Sequence, residues 1–219
     1  MDKGKNFSRN RPRVDRSEAD FYQTPYCLTD KFMKAHVLGR WPEDSQISDL
    51  CYGEGAIPRV IEKYPYGIYA KDIKMGCDFF TIWVDPPCGN YAFEYGIMNP
   101  PFRLFNKWVE HCFKIFSVEF ALLAPTTYLQ GICRFNKDGT GIFQNSEWPL
   151  KYVYTFNRYP MLSREIRHDG LITTGMQSLS WFVWTRYPGG GEHIDTIHRW
   201  LDIDAFVLRK GRKNNERGG

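Results

Sequence analysis

The chain has 219 residues, of which 42% are hydrophobic and 16% aromatic, and its formal net charge is +4. This length and apolar content predict one folded domain with a full hydrophobic core. No apolar stretch approaches the roughly 18 residues of a membrane span, and the first residues form no apolar signal core, so we expect a soluble, cytoplasmic protein.

The charge is concentrated at the two ends of the chain. Residues 1–16 carry six basic and two acidic side chains, and residues 209–219 carry five basic and one acidic, which leaves a net charge of −4 between them. We expect flexible basic tails over 1–18 and 209–219, on either side of a single domain over 19–208. Such tails either contact phosphates without sequence preference or are simply solvated.

The cysteines and histidines show no metal-binding pattern. The six cysteines contain no C-x-x-C pair, and the five histidines have no ligand spacing such as H-x-x-x-H. This pattern disfavours a zinc site and a disulfide framework, and it fits a reducing compartment. We therefore expect no bound metal.

Short apolar runs alternate with helical stretches, which is typical of βαβ units and predicts an α/β fold. The predicted strands are 47–51, 66–70, 95–98 and 119–124, and the predicted helices are 56–63 and 104–116. Two β-rich runs follow at 150–156 and 177–187, and a short final helix is predicted over 193–201.

A glycine-rich turn follows the first predicted strand, in the segment Asp49-Leu50-Cys51-Tyr52-Gly53-Glu54-Gly55. Its glycines allow the backbone to approach a ligand closely. Asp72 ends the next predicted strand, where an acid accepts hydrogen bonds from ribose hydroxyls in nucleotide-binding units. The pattern predicts an adenosine-type ligand and leaves a nicotinamide cofactor and S-adenosylmethionine open, although Pro58 replaces the third glycine of a dinucleotide fingerprint.

The tetrapeptide Asn99-Pro100-Pro101-Phe102 closes the predicted strand 95–98. The Asn99 side-chain oxygen and the Pro100 carbonyl can each accept one hydrogen from an amino group. Pro101 fixes φ and donates no N–H, and the Phe102 ring can stack on a heteroaromatic ring. Asn-Pro and Pro-Pro are also common in ordinary loops. The tetrapeptide therefore indicates a functional site only together with the motifs that precede it.

In this order the motifs resemble those of class I, S-adenosylmethionine-dependent DNA adenine N6-methyltransferases, of the small type carried by phages and prophages. The resemblance runs from about residue 20 to residue 187. It implies a Rossmann-like, mostly parallel sheet with helices on both faces and a C-terminal antiparallel strand. It also implies S-adenosylmethionine as cofactor, DNA as partner and methylation of a flipped-out adenine, with Asn99 to Phe102 as the catalytic motif.

The same resemblance implies further site residues. Segment 20–25 resembles the one that closes over the methionine end of the cofactor, and Asp78 with Phe79 resembles the pair that reads the cofactor adenine. Segments 124–128 and 180–184 resemble later strands of the family. The implied cofactor-binding residues are Tyr22, Thr24, Pro25, Asp49, Cys51, Gly53, Gly55, Asp72, Asp78 and Phe79. Arg158, Arg164 and Arg167 are either nucleic-acid contacts or solvated loop charges.

Other functions remain open at this point. RNA adenine and protein glutamine methyltransferases use the same motif, although glutamine-methylating relatives favour Tyr where this chain has Phe102. A non-catalytic nucleic-acid-binding relative is a further alternative, and a nicotinamide oxidoreductase is disfavoured by Pro58. We expect no separate target-recognition domain in a chain of this length, so reading of the target would fall to 126–150, 157–177 or the tails.

Overall fold

The computed structural model describes residues 23–82, 91–131, 134–136, 139–157, 178–190 and 195–203. Both predicted tails lie outside the described residues. So do Tyr22 and the arginines at 158, 164 and 167.

The described residues form a central mixed sheet of seven strands, in the order β2-β1-β3-β4-β6-β5-β7. The strands are β1 Gln46–Asp49, β2 Gly67–Ala70, β3 Phe93–Met98, β4 Phe116–Pro125, β5 Leu150–Phe156, β6 Leu179–Thr185 and β7 Ile197–Leu201. Only β6 among them runs antiparallel to its neighbours, between β4 and β5. The predicted mostly parallel sheet with a late antiparallel strand is therefore confirmed.

Helices cover both faces of this sheet. They are α1 Tyr26–Phe32, which continues into a π-helical turn Met33–Val37, α2 Ala56–Ile61 and α3 Phe105–Ile115. The side chains of β4 alternate between two apolar clusters, as the period of a strand requires. Ala121 and Leu123 pack with α1 and α2, whereas Phe120 and Leu122 pack with α3.

The predicted final helix over 193–201 is wrong. Its described part forms the edge strand β7, which pairs in parallel with β5 from Tyr152 opposite Ile197 to Phe156 opposite Leu201. A helix of so few residues gains too few hydrogen bonds to offset its nucleation. The unpaired edge of β5 instead offers a complete row of backbone partners.

The parallel strands give the sheet two different ends. β1, β3 and β4 finish at one end, which we call the carboxyl edge, and begin at the other, which we call the amino edge. Ligands of such sheets bind outside the carboxyl ends of the strands. The described helices include none that is long and apolar enough to cross a membrane.

Candidate functional site

Asp49 is the last residue of β1 and is 1% exposed. Its Oδ1 accepts hydrogen bonds from the Cys51 backbone nitrogen at 3.2 Å and from the Cys51 thiol at 3.5 Å. Its Oδ2 is buried without a hydrogen-bond partner among the described residues. Burial raises the pKa of Asp49 to about 7, and the nearby charge of Asp72 adds to this rise. A buried, unsatisfied carboxylate oxygen is costly, and it marks a place suited to a donor or cation from a ligand.

The glycine-rich turn needs its glycines for steric reasons. Gly53 and Gly55 have φ angles of 57° and 77°, in the left-handed region that other residues rarely adopt. A Cβ at Gly55 would also lie 2.5 Å from the hydroxyl oxygen of Tyr52. The turn therefore brings bare backbone to the carboxyl edge, directly before α2.

Asp72 ties the end of β2 to this turn. Its Oδ2 accepts a hydrogen bond from the Gly53 nitrogen and its Oδ1 accepts one from the Lys74 nitrogen, both at 2.9 Å. A carboxylate oxygen can accept more than one hydrogen bond, so Asp72 can hold the turn and also receive ligand hydroxyls. Beside it, the apolar side chain of Ile73 is 71% exposed. The structure thus brings the predicted ribose-binding acid next to the predicted cofactor loop.

The pair Asp78 and Phe79 lies further along the same edge. Asp78 begins a short 3-10 turn and accepts a hydrogen bond from the Phe80 nitrogen at 3.0 Å. Phe79 is buried, and its ring stacks on Trp108 of α3 with centroids 3.8 Å apart. One face of Phe79 is therefore already covered by the core, and its contact with a cofactor adenine remains a prediction.

Asn99 follows β3 directly and reaches across to the N-terminal part of the domain. Its side-chain Nδ2 donates a hydrogen bond to the Thr24 hydroxyl at 2.9 Å, 75 residues away in the sequence. Burial and the Asp49 charge raise the pKa of the Cys51 thiol, while a hydrogen bond from the Asn99 backbone opposes this rise. The end of β3 therefore lies against both the glycine-rich turn and the segment that contains Thr24.

A narrow cavity lies between the glycine-rich turn and the tetrapeptide. Its walls are formed by Gln23, Thr24, Asp49, Cys51, Tyr52, Ala56, Ile57 and Asn99. Its volume is about 20 Å³, which is on the scale of one water molecule. Pockets that hold small organic ligands are usually larger than about 300 Å³. Entry of such a ligand therefore requires this cavity to widen.

The rest of the tetrapeptide is held by residues after β4. Pro101 is extended and precedes a 3-10 turn that begins at Phe102. The Phe102 carbonyl accepts a hydrogen bond from the Tyr128 hydroxyl at 3.2 Å, and the Arg134 guanidinium carbon lies 4.0 Å from the centroid of the Tyr128 ring. Tyr128 and Arg134 were not predicted as site residues. The sequence signals were coarser: Tyr128 lies in a segment resembling a later strand of the family, and both residues lie in the 126–150 region expected to read the target.

Two larger cavities, of about 350 and 380 Å³, lie at the amino edge. Their walls include Glu94 in one case and Glu119 in the other, and they contain no residue of either motif. We assign the site to the carboxyl edge because Asp49 and Asn99 meet there. In the described part of the chain, no three His, Cys, Asp or Glu side chains are grouped so that they could hold a metal ion.

Comparisons with known proteins bear on the fold. No protein-family model matches the chain, and no curated protein matches it. The chain is similar to a crystal structure of a predicted O-methyltransferase from Agrobacterium tumefaciens, with 12% identity, a TM-score of 0.52 and coverage of 87% of this chain and 90% of that one. It is also similar to the type I restriction-modification methyltransferase subunit from Streptococcus thermophilus, with 12% identity, a TM-score of 0.49 and coverage of 76% and 44%. A TehB-like SAM-dependent methyltransferase from Corynebacterium glutamicum gives 10% identity, a TM-score of 0.43 and coverage of 80% and 94%.

These likenesses concern the fold alone. The chain spans less than half of the length of the Streptococcus thermophilus subunit. In the described part of the chain, the strand order, the antiparallel strand β6 and the helices on both faces are those of a Rossmann-like sheet. Together with the likeness to the Agrobacterium tumefaciens structure, they give this chain the class I methyltransferase fold.

Proposed function

We propose that this protein transfers a methyl group from S-adenosylmethionine to the N6 amine of a flipped-out adenine in DNA. One observation carries the proposal: Asp49 of the glycine-rich turn and Asn99 of the tetrapeptide line the same cavity at the carboxyl edge. A methyl donor bound by the turn would lie beside a base held by the tetrapeptide. The class I methyltransferase fold supports this arrangement.

The cofactor would be held by groups that the fold brings to one edge. Asp49 offers its unsatisfied Oδ2 to a cationic or N–H-bearing group of the methionine portion. Asp72 accepts from the ribose hydroxyls while it keeps the Gly53 turn in place. Thr24, with Pro25 beside it, closes over the methionine end. When bound, S-adenosylmethionine supplies a methyl group activated by a positively charged sulfur.

The tetrapeptide makes the adenine amine reactive. The nitrogen lone pair of this amine is delocalised into the ring, so the amine is a poor nucleophile. Asn99 Oδ1 and the Pro100 carbonyl accept its two hydrogens, which favours a pyramidal nitrogen and stabilises the positive charge that develops there. Each hydrogen bond to the developing charge contributes on the order of 1–3 kcal/mol. The nitrogen–methyl bond forms as the methyl–sulfur bond breaks, and the amine then loses one proton to solvent.

The two hydrogen bonds to Asn99 and Pro100 can form only with a base that is flipped out of the duplex. An amine paired inside a duplex cannot reach Asn99, and flipping the base out costs a few kcal/mol. Stacking on Phe102 returns roughly 1–3 kcal/mol. The Tyr128 ring contacts the Phe102 ring edge-on, with centroids 6.4 Å apart. This contact restricts the position of the Phe102 ring on which the base would stack.

Single-molecule modification sequencing of DNA from cells that express this chain tests the proposal. We expect N6-methyladenine in a recurring sequence context, absent from cells that express Asn99→Ala. If the DNA remains unmodified while labelled cofactor transfers its methyl group to RNA or to protein glutamine, the DNA assignment is wrong and the corresponding alternative replaces it.

A further inference from the structure

Tyr128 and Arg134 lie beside the tetrapeptide and take no part in the cofactor site. Tyr128 belongs to the 3-10 turn Thr126–Leu129 that follows β4 at the carboxyl edge. Its hydroxyl donates to the Phe102 carbonyl, and its ring contacts Phe102 edge-on. The Arg134 guanidinium stacks on the same ring at 4.0 Å. Tyr128 thus links the Arg134 guanidinium, which stacks on its ring, to the backbone of the tetrapeptide, which accepts its hydroxyl hydrogen.

Among the described residues, no acid neutralises Arg134. Its Nη1 donates to the Gln130 carbonyl at 2.8 Å, and within this described part of the chain its buried Nε has no partner and no carboxylate pairs with it. Arg186 is stacked in a similar way but has an acidic partner. It also stacks on a tyrosine, but it forms an ion pair with Glu147 at 2.5 Å. A planar, stacked and unneutralised guanidinium is suited to bind phosphate.

The separations match the size of a nucleotide. The centroids of Phe102 and Tyr128 are 6.4 Å apart, and the Arg134 guanidinium carbon lies 4.0 Å from the Tyr128 centroid, so this carbon is at most about 10 Å from the centre of the Phe102 ring. A nucleotide whose base stacks on Phe102 can therefore place its own or a neighbouring phosphate near Arg134. A glutamine side chain of a protein substrate carries no phosphate for this position.

We propose that Arg134 is a positioning residue that binds a backbone phosphate of the target DNA strand beside the flipped adenine, and that Tyr128 orients both Arg134 and the tetrapeptide. This inference rests on the proposed function and deepens it, because it names the part of the substrate that the protein holds outside the catalytic motif. It also places a nucleic-acid contact in the 126–150 region.

The test measures binding of a fluorescent DNA duplex to the full chain by anisotropy at several salt concentrations, with S-adenosylhomocysteine present. Arg134→Ala should weaken binding about tenfold and lower the slope of log affinity against log salt by about 1, as the loss of one phosphate contact does. Arg134→Lys should recover only part of the loss, since lysine lacks the planar stacking group.

The matched control is Lys114→Ala. Lys114 is exposed in the last turn of α3, at the amino edge, so this variant removes the same charge far from the tetrapeptide. It should bind DNA within about twofold of wild type. Equal losses in Lys114→Ala and Arg134→Ala, or no loss in Arg134→Ala, would overturn the inference. Thermal melting and calorimetric titration with the cofactor verify that each variant is folded and keeps its cofactor affinity.

Kinetics separate this inference from the proposed function. Arg134→Ala should raise the KM for DNA about tenfold and change kcat less, whereas Tyr128→Phe should lower kcat about fivefold, because the hydrogen bond to the Phe102 carbonyl is lost. If wild type methylates adenine and Arg134→Ala has an unchanged KM, the inference fails and the proposed function stands. If DNA binding depends on Arg134 and no adenine is methylated, the proposed function fails, and of the inference only the contact between Arg134 and a DNA phosphate stands.

Discussion

Two buried carboxylates at opposite edges of the same sheet have opposite environments. Asp49, at the carboxyl edge, is 1% exposed, and one of its oxygens has no partner among the residues that the structure describes. Glu119, toward the amino edge, is 7% exposed. Its Oε1 is hydrogen-bonded to Trp41 Nε1 at 2.5 Å and to His36 Nε2 at 2.6 Å, and its Oε2 accepts from the Thr185 hydroxyl at 2.5 Å.

The pKa values of the two groups follow from this difference. Burial alone would raise the pKa of Glu119, but the hydrogen bonds from His36, Thr185 and Trp41 together lower it below its ordinary value. The pKa of Asp49 rises to about 7 because burial is opposed by few hydrogen bonds. Glu119 uses both of its oxygens in hydrogen bonds that stabilise the fold, whereas Asp49 keeps one acceptor unsatisfied among the described residues, as a group in a binding site does.

The largest expected effect lies at the carboxyl edge. Asn99→Ala should lower the rate of methyl transfer roughly a hundred- to a thousandfold, because an acceptor for the amine hydrogens is lost. Cofactor affinity should stay within a few-fold and the melting temperature should change little. Initial rates with labelled cofactor, calorimetry and thermal melting measure the three quantities. A turnover rate equal to that of wild type would refute the mechanism.

At the amino edge the expected effect is on stability. Glu119→Ala leaves His36, Trp41 and Thr185 without their common acceptor, so the free energy of unfolding should fall by roughly 3 kcal/mol or more. Glu147→Ala is the matched control, since its ion pair with Arg186 is partly exposed and should contribute under about 1 kcal/mol. Urea unfolding compares the two variants. Equal losses would contradict a stabilising role of the buried hydrogen bonds to Glu119.

Asp49→Asn should stabilise the cofactor-free protein, but only at higher pH. The pKa of Asp49 is raised from 3.8 to about 7 in the fold, so ionisation of this group destabilises the fold increasingly as the pH rises through that window. Each pKa unit corresponds to about 1.4 kcal/mol. The variant should therefore gain a few kcal/mol in the free energy of unfolding at pH 8 and little at pH 4. Urea unfolding at both pH values measures this, and a gain independent of pH would argue against a buried, unsatisfied carboxylate.

The smallest expected difference is between two variants within the site, Phe102→Ala and Asp72→Ala. Phe102→Ala should raise the KM for DNA about tenfold, in line with the loss of one stacked base, and leave cofactor affinity unchanged. Asp72→Ala should do the reverse, because Asp72 supports the Gly53 turn and faces the proposed ribose site. Calorimetry with the cofactor alone and steady-state kinetics with DNA separate the two effects. Parallel losses in both variants would mean that the cofactor and base sites are not distinct.

The sequence predicted the parts of the structure that local patterns specify. Alternating apolar runs located the cores of β1 to β6, and the glycine-rich turn, Asp72 and Asn99 all follow strands whose carboxyl ends meet at one edge. The roles of these residues remain predictions, and their assembly at one edge follows from the parallel direction of the strands that they end.

Features that depend on tertiary packing were missed. Edge strand β7 is nearly all exposed and carries no apolar period, so only its pairing with β5 reveals it as a strand. Helix α1 was not predicted, and its π-helical continuation breaks the usual 3.6-residue spacing. The contact of Asn99 with Thr24 joins residues 75 positions apart, and no local pattern encodes it.

The most direct measurement is nucleoside mass spectrometry of unmethylated DNA incubated with the purified chain and S-adenosylmethionine. We predict N6-methyldeoxyadenosine with the wild-type protein and a rate at least about a hundredfold lower with Asn99→Ala. Unmodified adenine after incubation with a folded, cofactor-binding wild-type protein would contradict the account, and so would equal product from both proteins.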